Sequence, residues 1–321
     1  MPQLSSSSHW VFDVPPLGFG CCPMGGHGWG RVNEDELRQA VATALDLGVR
    51  LFDTSDIYGL GASEILLGQA LQGRLDRAIV ATKFGVRHEN GTTFHDTSPL
   101  WIIKAAEASL RRLGIDCIDL YQMHYWDGVT PPEQIAATLE SLLIAGKIRA
   151  YGITNHDPRT PGLNGRSSQL ASYSYHYSLV HRQYEDLILA AQQHPGLAFL
   201  SWGSLGQGVL SGEYRSLAQL DPSDRRRKEV YANFHGEKFA AIQQVLRELK
   251  DIAAEAGVPR VTQLALRWIV DHIPRAIPLV GIKRPAQIID AAGIFHFKLD
   301  PAICARIDRL TAQFKPTTSI Q

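Results

Sequence analysis

The chain has 321 residues, 45% of them apolar and 20% charged, enough to bury one large core or two modest ones. Its 32 Lys and Arg balance 32 Asp and Glu, which excludes an overall basic field for nucleic acid or an anionic membrane surface and leaves a small molecule as the expected partner. No segment has the uninterrupted apolar length of a membrane span and no basic stretch precedes an apolar run at the start, so a cytoplasmic location is expected.

Four cysteines (Cys21, Cys22, Cys117 and Cys304) are too scattered for a disulfide framework and read as reduced thiols. Residues 1 to 16, a Ser run followed by His9, Trp10, Val11 and Phe12, read as an N-terminal extension or plug. A strand then starts at Leu17 and passes into a glycine-rich loop with Trp29 at its tip. Such a loop suits close approach to a ligand, and serves an irregular surface turn equally well.

Asn33 with Glu36 three residues on opens a helix that Gly48 stops, feeding a strand from Val49 to Asp53. A second helix from about Ser63 to Leu71 precedes the strand Ala78 to Lys83. Ser98 and Pro99 start a third helix, Gly114 ends it, and the strand Cys117 to His124 follows. A fourth helix, from about Thr130 to Gly146, leads to the strand Ile148 to Thr154. This alternation implies parallel strands joined by right-handed crossovers, in a doubly wound sheet or a closed barrel.

The second half continues the rhythm with strands at Ala171 to Tyr177, Leu197 to Trp202 and Ala276 to Gly281, and helices at about Gln183 to Gln193, Glu237 to Ala256 and Val261 to Asp271. Counting from Leu17 gives eight strands, so the expected fold is α/β: a single-domain (β/α)8 TIM barrel over residues 1–321, with additional helices and a long loop after the seventh strand. Two prolines and two glycines between residues 155 and 170 predict a fifth helix that is short, frayed or replaced by loop. The polar stretch Ser211 to Phe234, with Arg225, Arg226, Arg227 and Lys228, predicts a mobile loop: solvated surface, or a lid over an anionic ligand.

In such a barrel Asp53, Tyr58, Lys83 and His124 lie at the C-terminal ends of consecutive strands and face one pocket. Each has an ordinary structural use: a strand-end ion pair, a packed ring, a satisfied rim histidine. Together they suit carbonyl reduction, in which the oxygen that gains charge needs a proton donor and a hydrogen-bond partner. Tyr58 is the expected donor, its pKa lowered by the Lys83 ammonium, with Asp53 orienting Lys83 and His124 positioning the carbonyl.

The matching pieces Phe52-Asp-Thr-Ser-Asp-Ile-Tyr-Gly59, Ala81-Thr-Lys-Phe-Gly85, Ser109-Leu-Arg-Arg-Leu-Gly114, Ile118-Asp-Leu-Tyr-Gln-Met-His124, Gly152-Ile-Thr-Asn155, Ser201-Trp-Gly-Ser-Leu-Gly-Gln-Gly-Val-Leu-Ser-Gly212 and Ile277-Pro-Leu-Val-Gly-Ile-Lys-Arg-Pro-Ala-Gln287 resemble the aldo-keto reductases. The resemblance runs from about Leu17 to Leu310, in that family's order and spacing. It implies a barrel that binds NADPH without a Rossmann domain, with Asp53, Tyr58, Lys83 and His124 as the catalytic tetrad. It also implies a nicotinamide carboxamide near Thr154 and Asn155, with Ser174 beside them, and a ring stacked on Tyr177. The pyrophosphate would lie along Trp202 to Leu210 (Trp202, Ser204, Leu205, Gln207, Gly208, Leu210), with Gly20 and Gly281 at the cofactor site. Lys283 and Arg284 would hold the 2′-phosphate, with Gln287 on the adenosine side.

The chain departs from the family pattern at Thr154 (usually serine), Ser174 (usually glutamine), Ala291 (often asparagine) and Glu213 (usually lysine), all on the cofactor side. Trp29, Tyr125 and Trp126 are the candidate substrate wall, compatible with sugar aldehydes, aromatic aldehydes, pyridoxal or natural-product ketones. The leading expectation is NADPH-dependent reduction of an aldehyde or ketone; a non-catalytic, nucleotide-binding redox-sensing subunit is the alternative. A metal-dependent barrel hydrolase would want His-x-His on the first strand, where Gly18-Phe-Gly20 stands instead. The oligomeric state is open.

Overall fold

The computed structural model of the protein describes residues 10, 12–163, 170–194 and 196–316. In chain order the strands are β1 (Gly18–Gly20), β2 (Leu51–Asp53), β3 (Ile79–Phe84), β4 (Val86–Glu89), β5 (Thr92–His95), β6 (Ile118–Met123), β7 (Ile148–Thr154), β8 (Leu170–His176), β9 (Ala198–Trp202) and β10 (Ala276–Gly281). Eight of them, all but β4 and β5, pair in parallel and close a barrel in the order β1-β10-β9-β8-β7-β6-β3-β2. The barrel expected from the strand count is therefore present.

The helices are α1 (Glu34–Asp46), α2 (Ala62–Leu71), α3 (Pro99–Leu113), α4 (Pro132–Ile144), α5 (Glu185–Ala191), α6 (Gly236–Glu255), α7 (Val261–His272), α8 (Pro285–Ala292) and α9 (Pro301–Thr311). Local chemistry sets their ends. Asn33 Oδ1 accepts from the backbone N–H of Asp35 and Glu36 to start α1. Ser98 caps α3 ahead of Pro99, and Gly114 closes it in the left-handed region at φ 67°. β2 starts two residues later than expected because the Val49 N–H is taken by the carbonyl of Ala44 at the end of α1.

Two layers of core follow from the strand alternation. Leu51, Ile79, Ala81, Leu120, Ala150, Ala171, Leu200, Ile277 and Leu279 fill the barrel interior, with Trp10, Phe12 and Val14 packed against them as the described part of the expected plug. Outward-facing strand residues and the inner faces of the helices form the larger clusters, including Phe84, Tyr121, Tyr151, Tyr173, Tyr177, Phe199 and Trp268. The Ser run at residues 5–8 lies outside the described residues, as does 164–169 of the expected weak fifth helix. Residues 155–163 are bends and turns.

Two elements differ from expectation. A hairpin, β4 paired with β5 through the left-handed Asn90 and Gly91, follows β3. The stretch expected as a mobile loop carries three short 3-10 turns, Leu217–Gln219, Arg225–Arg227 and Ala232–Phe234. Its order comes from Arg226, buried at 5% exposure, which donates to both carboxylate oxygens of Asp224 (2.9 and 2.7 Å) and to the carbonyl of Gln207 (2.9 Å).

Candidate active site

The C-terminal ends of the barrel strands open into a cavity of about 1030 Å³. The ladder runs one residue past three strands: Cys21 N donates to Asp53 O, Thr54 N to Ala81 O and His124 N to Phe84 O, each at 2.8 Å. These bonds bring the ends of β1, β2, β3 and β6 to one rim. There Lys83 Nζ donates to Asp53 Oδ1 at 2.5 Å and to the carbonyl of Thr54 at 2.8 Å. Gln122, the register partner of Lys83, donates to the other oxygen of Asp53 at 2.9 Å. Both charges are buried, and each has the partners that such burial demands.

Tyr58 sits on the loop after β2. Gly25 and Gly59 let the loops after β1 and β2 touch backbone to backbone, because a Cβ on Gly59 would lie 2.2 Å from Gly25 O. That contact sets the Tyr58 ring edge-on to His124, with centroids 5.9 Å apart at 86°. Lys83 Nζ lies 5.3 Å from the centre of the same ring. Burial pushes the Tyr58 phenol well above its ordinary pKa, and the Cys22 thiol and Asp53 carboxylate add to the rise. The net shift is upward where a lowered value was expected, because enclosure of the ring dominates and the nearby Lys83 ammonium is already bound to the Asp53 carboxylate. Burial, Lys83 and His95 hold His124 well below its ordinary pKa, so the imidazole is neutral.

His124 stacks on Tyr125 (5.1 Å, 20°), which stacks on His95 of the hairpin (5.0 Å, 4°). Its Nδ1 faces Ser55 Oγ at 3.2 Å. Tyr125, Trp29 and Cys22 line the cavity beside the four central groups, and Trp29 Nε1 donates to Cys22 Sγ at 3.1 Å. Trp126 does not line it: its indole N–H donates to the carbonyl of Thr130 at 2.8 Å and its ring meets His156 edge-on. The substrate wall expected from Trp29, Tyr125 and Trp126 therefore loses its third member.

Along the cavity Gly20, Thr154, Asn155, Ser174, Trp202, Ser204, Leu205, Gln207, Gly208, Gly281, Lys283, Arg284 and Gln287 line the wall, as expected of a cofactor groove. Asn155 Oδ1 accepts from Trp202 Nε1 at 3.1 Å, and the Thr154 hydroxyl is buried without a hydrogen-bond partner. Tyr177 and Leu210 are fully buried away from this wall. Tyr177 donates to Glu185 at 2.7 Å and stacks near Trp268, because alternation along β8 turns Ser174 and His176 to the cavity and sends Tyr177 into the helical layer. His176 lines the cavity instead, its ring stacked between His181 (3.6 Å, 15°) and Trp202 (4.4 Å, 15°). Counting in twos from Ser174 would have found it.

Part of the cavity wall is cationic. Lys283 donates to the carbonyl of Trp29, while Gln287 Oε1 accepts from the backbone N–H of Lys283 and Arg284 at the start of α8. Burial and the neighbouring cations Arg226 and Arg284 lower the Lys283 pKa. Arg225 and Arg226, part of the run expected as solvated surface or as a lid over an anionic ligand, also line the cavity and lie over the Trp29 ring at 5.4 and 5.7 Å. A phenol, an ammonium–carboxylate pair and a neutral imidazole thus share one cavity with a cluster of cations that suits an anionic ligand.

The model of the aldo/keto reductase family matches residues 16–312. The chain is 31% identical over 288 residues to aldo-keto reductase YhdN of Bacillus subtilis, covering 89% of this chain and 86% of that one. It is 34% identical over 303 residues to aldo-keto reductase yakc of Schizosaccharomyces pombe, whose name carries NADP(+), covering 92% and 87%. Among solved structures, the glycerol dehydrogenase AKR11B4 from Gluconobacter oxydans superposes with a TM-score of 0.86 at 29% identity, covering 98% of this chain and 97% of that one.

Proposed function

The chain belongs to the aldo/keto reductase family, and on that premise we propose that it is an NADPH-dependent reductase of an aldehyde or ketone. The observation that carries this reading is the meeting of Tyr58, the Lys83–Asp53 pair and His124 in one cavity whose wall also holds Lys283, Arg284, Arg225 and Arg226. The residues present fit the cofactor. The cations of the cavity wall suit a nucleotide phosphate, the unpartnered Thr154 hydroxyl and the Trp202 ring offer polar and stacking contacts, and the relative named for NADP(+) supports the choice. When bound, NADPH supplies the hydride that reaches the carbonyl carbon.

The chain's own groups manage the oxygen. Because burial keeps the Tyr58 phenol neutral, it still carries its proton at working pH and gives it to the oxygen as negative charge develops there. The Lys83 ammonium, held by Asp53, stabilises the negative charge that the phenol acquires as the proton leaves. The neutral His124 imidazole donates a hydrogen bond that orients the carbonyl. Trp29, Cys22 and Tyr125 bound the substrate space, and the aromatic faces favour a carbonyl compound of modest size.

The test is NADPH consumption by the purified protein, with and without a chelator, over a panel of aromatic, aliphatic and sugar aldehydes. Chelator-insensitive oxidation that depends on the carbonyl compound supports the reading. NADPH binding without turnover on any member of a broad panel would favour a redox-sensing subunit instead.

A further inference from the structure

Two polar groups next to the site, one buried and one half-buried, have no part in the reaction described so far. Ser55 is fully buried on the loop after β2, and Asp56 follows it. Ser55 Oγ stands between Asp56 Oδ1 at 3.1 Å and His124 Nδ1 at 3.2 Å, and it also accepts from the backbone N–H of Ile57 at 3.4 Å. A hydroxyl has one hydrogen and two lone pairs. With one lone pair facing Ile57, the hydrogen goes to one of Asp56 and His124, and the remaining lone pair accepts from the other.

Two arrangements satisfy all three partners. In the first, Asp56 is ionised and takes the Ser55 hydrogen. His124 must then donate from Nδ1, and its Nε2 has only a lone pair. In the second, Asp56 is protonated and donates to Ser55, Ser55 donates to His124 Nδ1, and the imidazole hydrogen resides on Nε2. Only the second leaves a donor for a carbonyl oxygen. Passing from the second to the first releases one proton, from Asp56, to solvent; the hydroxyl rotates and the imidazole hydrogen changes nitrogen, so His124 stays neutral throughout.

We infer that Asp56 is a positioning residue whose protonation, relayed through Ser55, sets the tautomer of His124 and so switches its ability to orient the carbonyl. The surroundings favour a proton on Asp56. Burial, with the Glu64 carboxylate of α2 adding, raises its pKa to about 7, against opposing contributions from Ser55, Arg112 of α3 and the Ile57 N–H. Glu64 is buried and engaged by Arg112 Nε and the Thr82 hydroxyl, both at 2.6 Å. Tyr121 of β6 also senses Asp56. Around His124 stand Lys83, His95, Tyr58 and Tyr125; the stacking on Tyr125 holds the plane of the ring, with Nδ1 toward Ser55.

The inference rests on the reductase reading for its consequence, and its test separates the two. The probe is the nitrogen NMR signature of His124 in the full-length protein labelled with 15N-histidine, followed from pH 6 to pH 8.5 in wild type and Asp56→Asn. The Asn amide donates to Ser55 at every pH, so His124 should stay protonated on Nε2 in the variant, whereas in wild type the hydrogen should move to Nδ1 as pH rises through about 7. In parallel, carbonyl reduction by wild type should fall about tenfold per pH unit above that midpoint, and Asp56→Asn should lack this alkaline fall. Ser55→Ala, which cuts the relay, should also lack it at a lower overall rate. A His124 tautomer that is the same in both proteins at all pH values would overturn the inference, whether or not the protein reduces carbonyls. A tautomer switch in a protein inactive on every carbonyl would leave the relay standing and sink the reductase reading.

Discussion

Burial acts on the two rings at the site in opposite directions of pKa and to the same end: the Tyr58 phenol is raised, the His124 imidazole is lowered, and both stay uncharged around neutral pH. A proton donor and a neutral hydrogen-bonding ring are what a developing oxyanion needs, and the buried Lys83–Asp53 pair supplies the fixed charge beside them. The identities of these four groups were legible in the sequence, because strand ends in a barrel bring them to one rim. The direction of the phenol shift was not, since it depends on how completely the ring is enclosed. Tyr177 shows another limit. One residue of register along β8 separates the cavity wall from the helical layer, and only the pairing of the strand fixes which side a side chain takes. Tyr177→Phe should therefore leave NADPH affinity unchanged, as read by quenching of tryptophan fluorescence. It should lower stability by about 1 kcal/mol in urea unfolding through loss of the bond to Glu185. A tenfold loss of NADPH affinity would return this ring to the cofactor site.

At the scale of elements, the segment after β9 is the part least readable from sequence pattern. It has no apolar period and a run of four cations, the usual marks of a solvated loop. What orders it is one buried guanidinium, Arg226, tied to Asp224, Gln207 and Tyr214 and packed against aromatic rings. Long-range satisfaction of a charge leaves no periodic trace. Arg225 fastens the same segment across the cavity, its N–H donating to the carbonyl of Gly28 at 2.9 Å and its guanidinium to that of His27 at 2.9 Å. Arg226→Ala should leave Asp224 unpaired and loosen this segment. The expected result is roughly tenfold weaker NADPH binding, mainly through faster release, with new proteolytic cleavage between residues 213 and 235. Unchanged release and an unaltered cleavage pattern would show that the segment is held without Arg226. The hairpin β4–β5, by contrast, left a readable sign in Asn90-Gly91, a pair favoured where two residues in succession take positive φ.

At the scale of the whole molecule, the eight-strand count succeeded because apolar strands alternate with helical periods, and α1 and α3 carry their own start signals. Asn33, Ser98, Pro99 and Gly114 all act in the structure as their residue types dictate. Closure of the barrel then places strand ends from β1, β2, β3 and β6 around one cavity, while Trp10, Phe12 and Val14 pack against the interior layer. The central claim is that this cavity reduces carbonyl compounds with Tyr58 as the proton donor. The most direct measurement is NADPH oxidation by Tyr58→Phe beside wild type, with NADPH affinity of both followed by tryptophan fluorescence. The account predicts turnover lower by about 10²- to 10⁴-fold with affinity within a few-fold of wild type, because the ring still packs and only the transferable proton is gone. Turnover in Tyr58→Phe equal to that of wild type would contradict it.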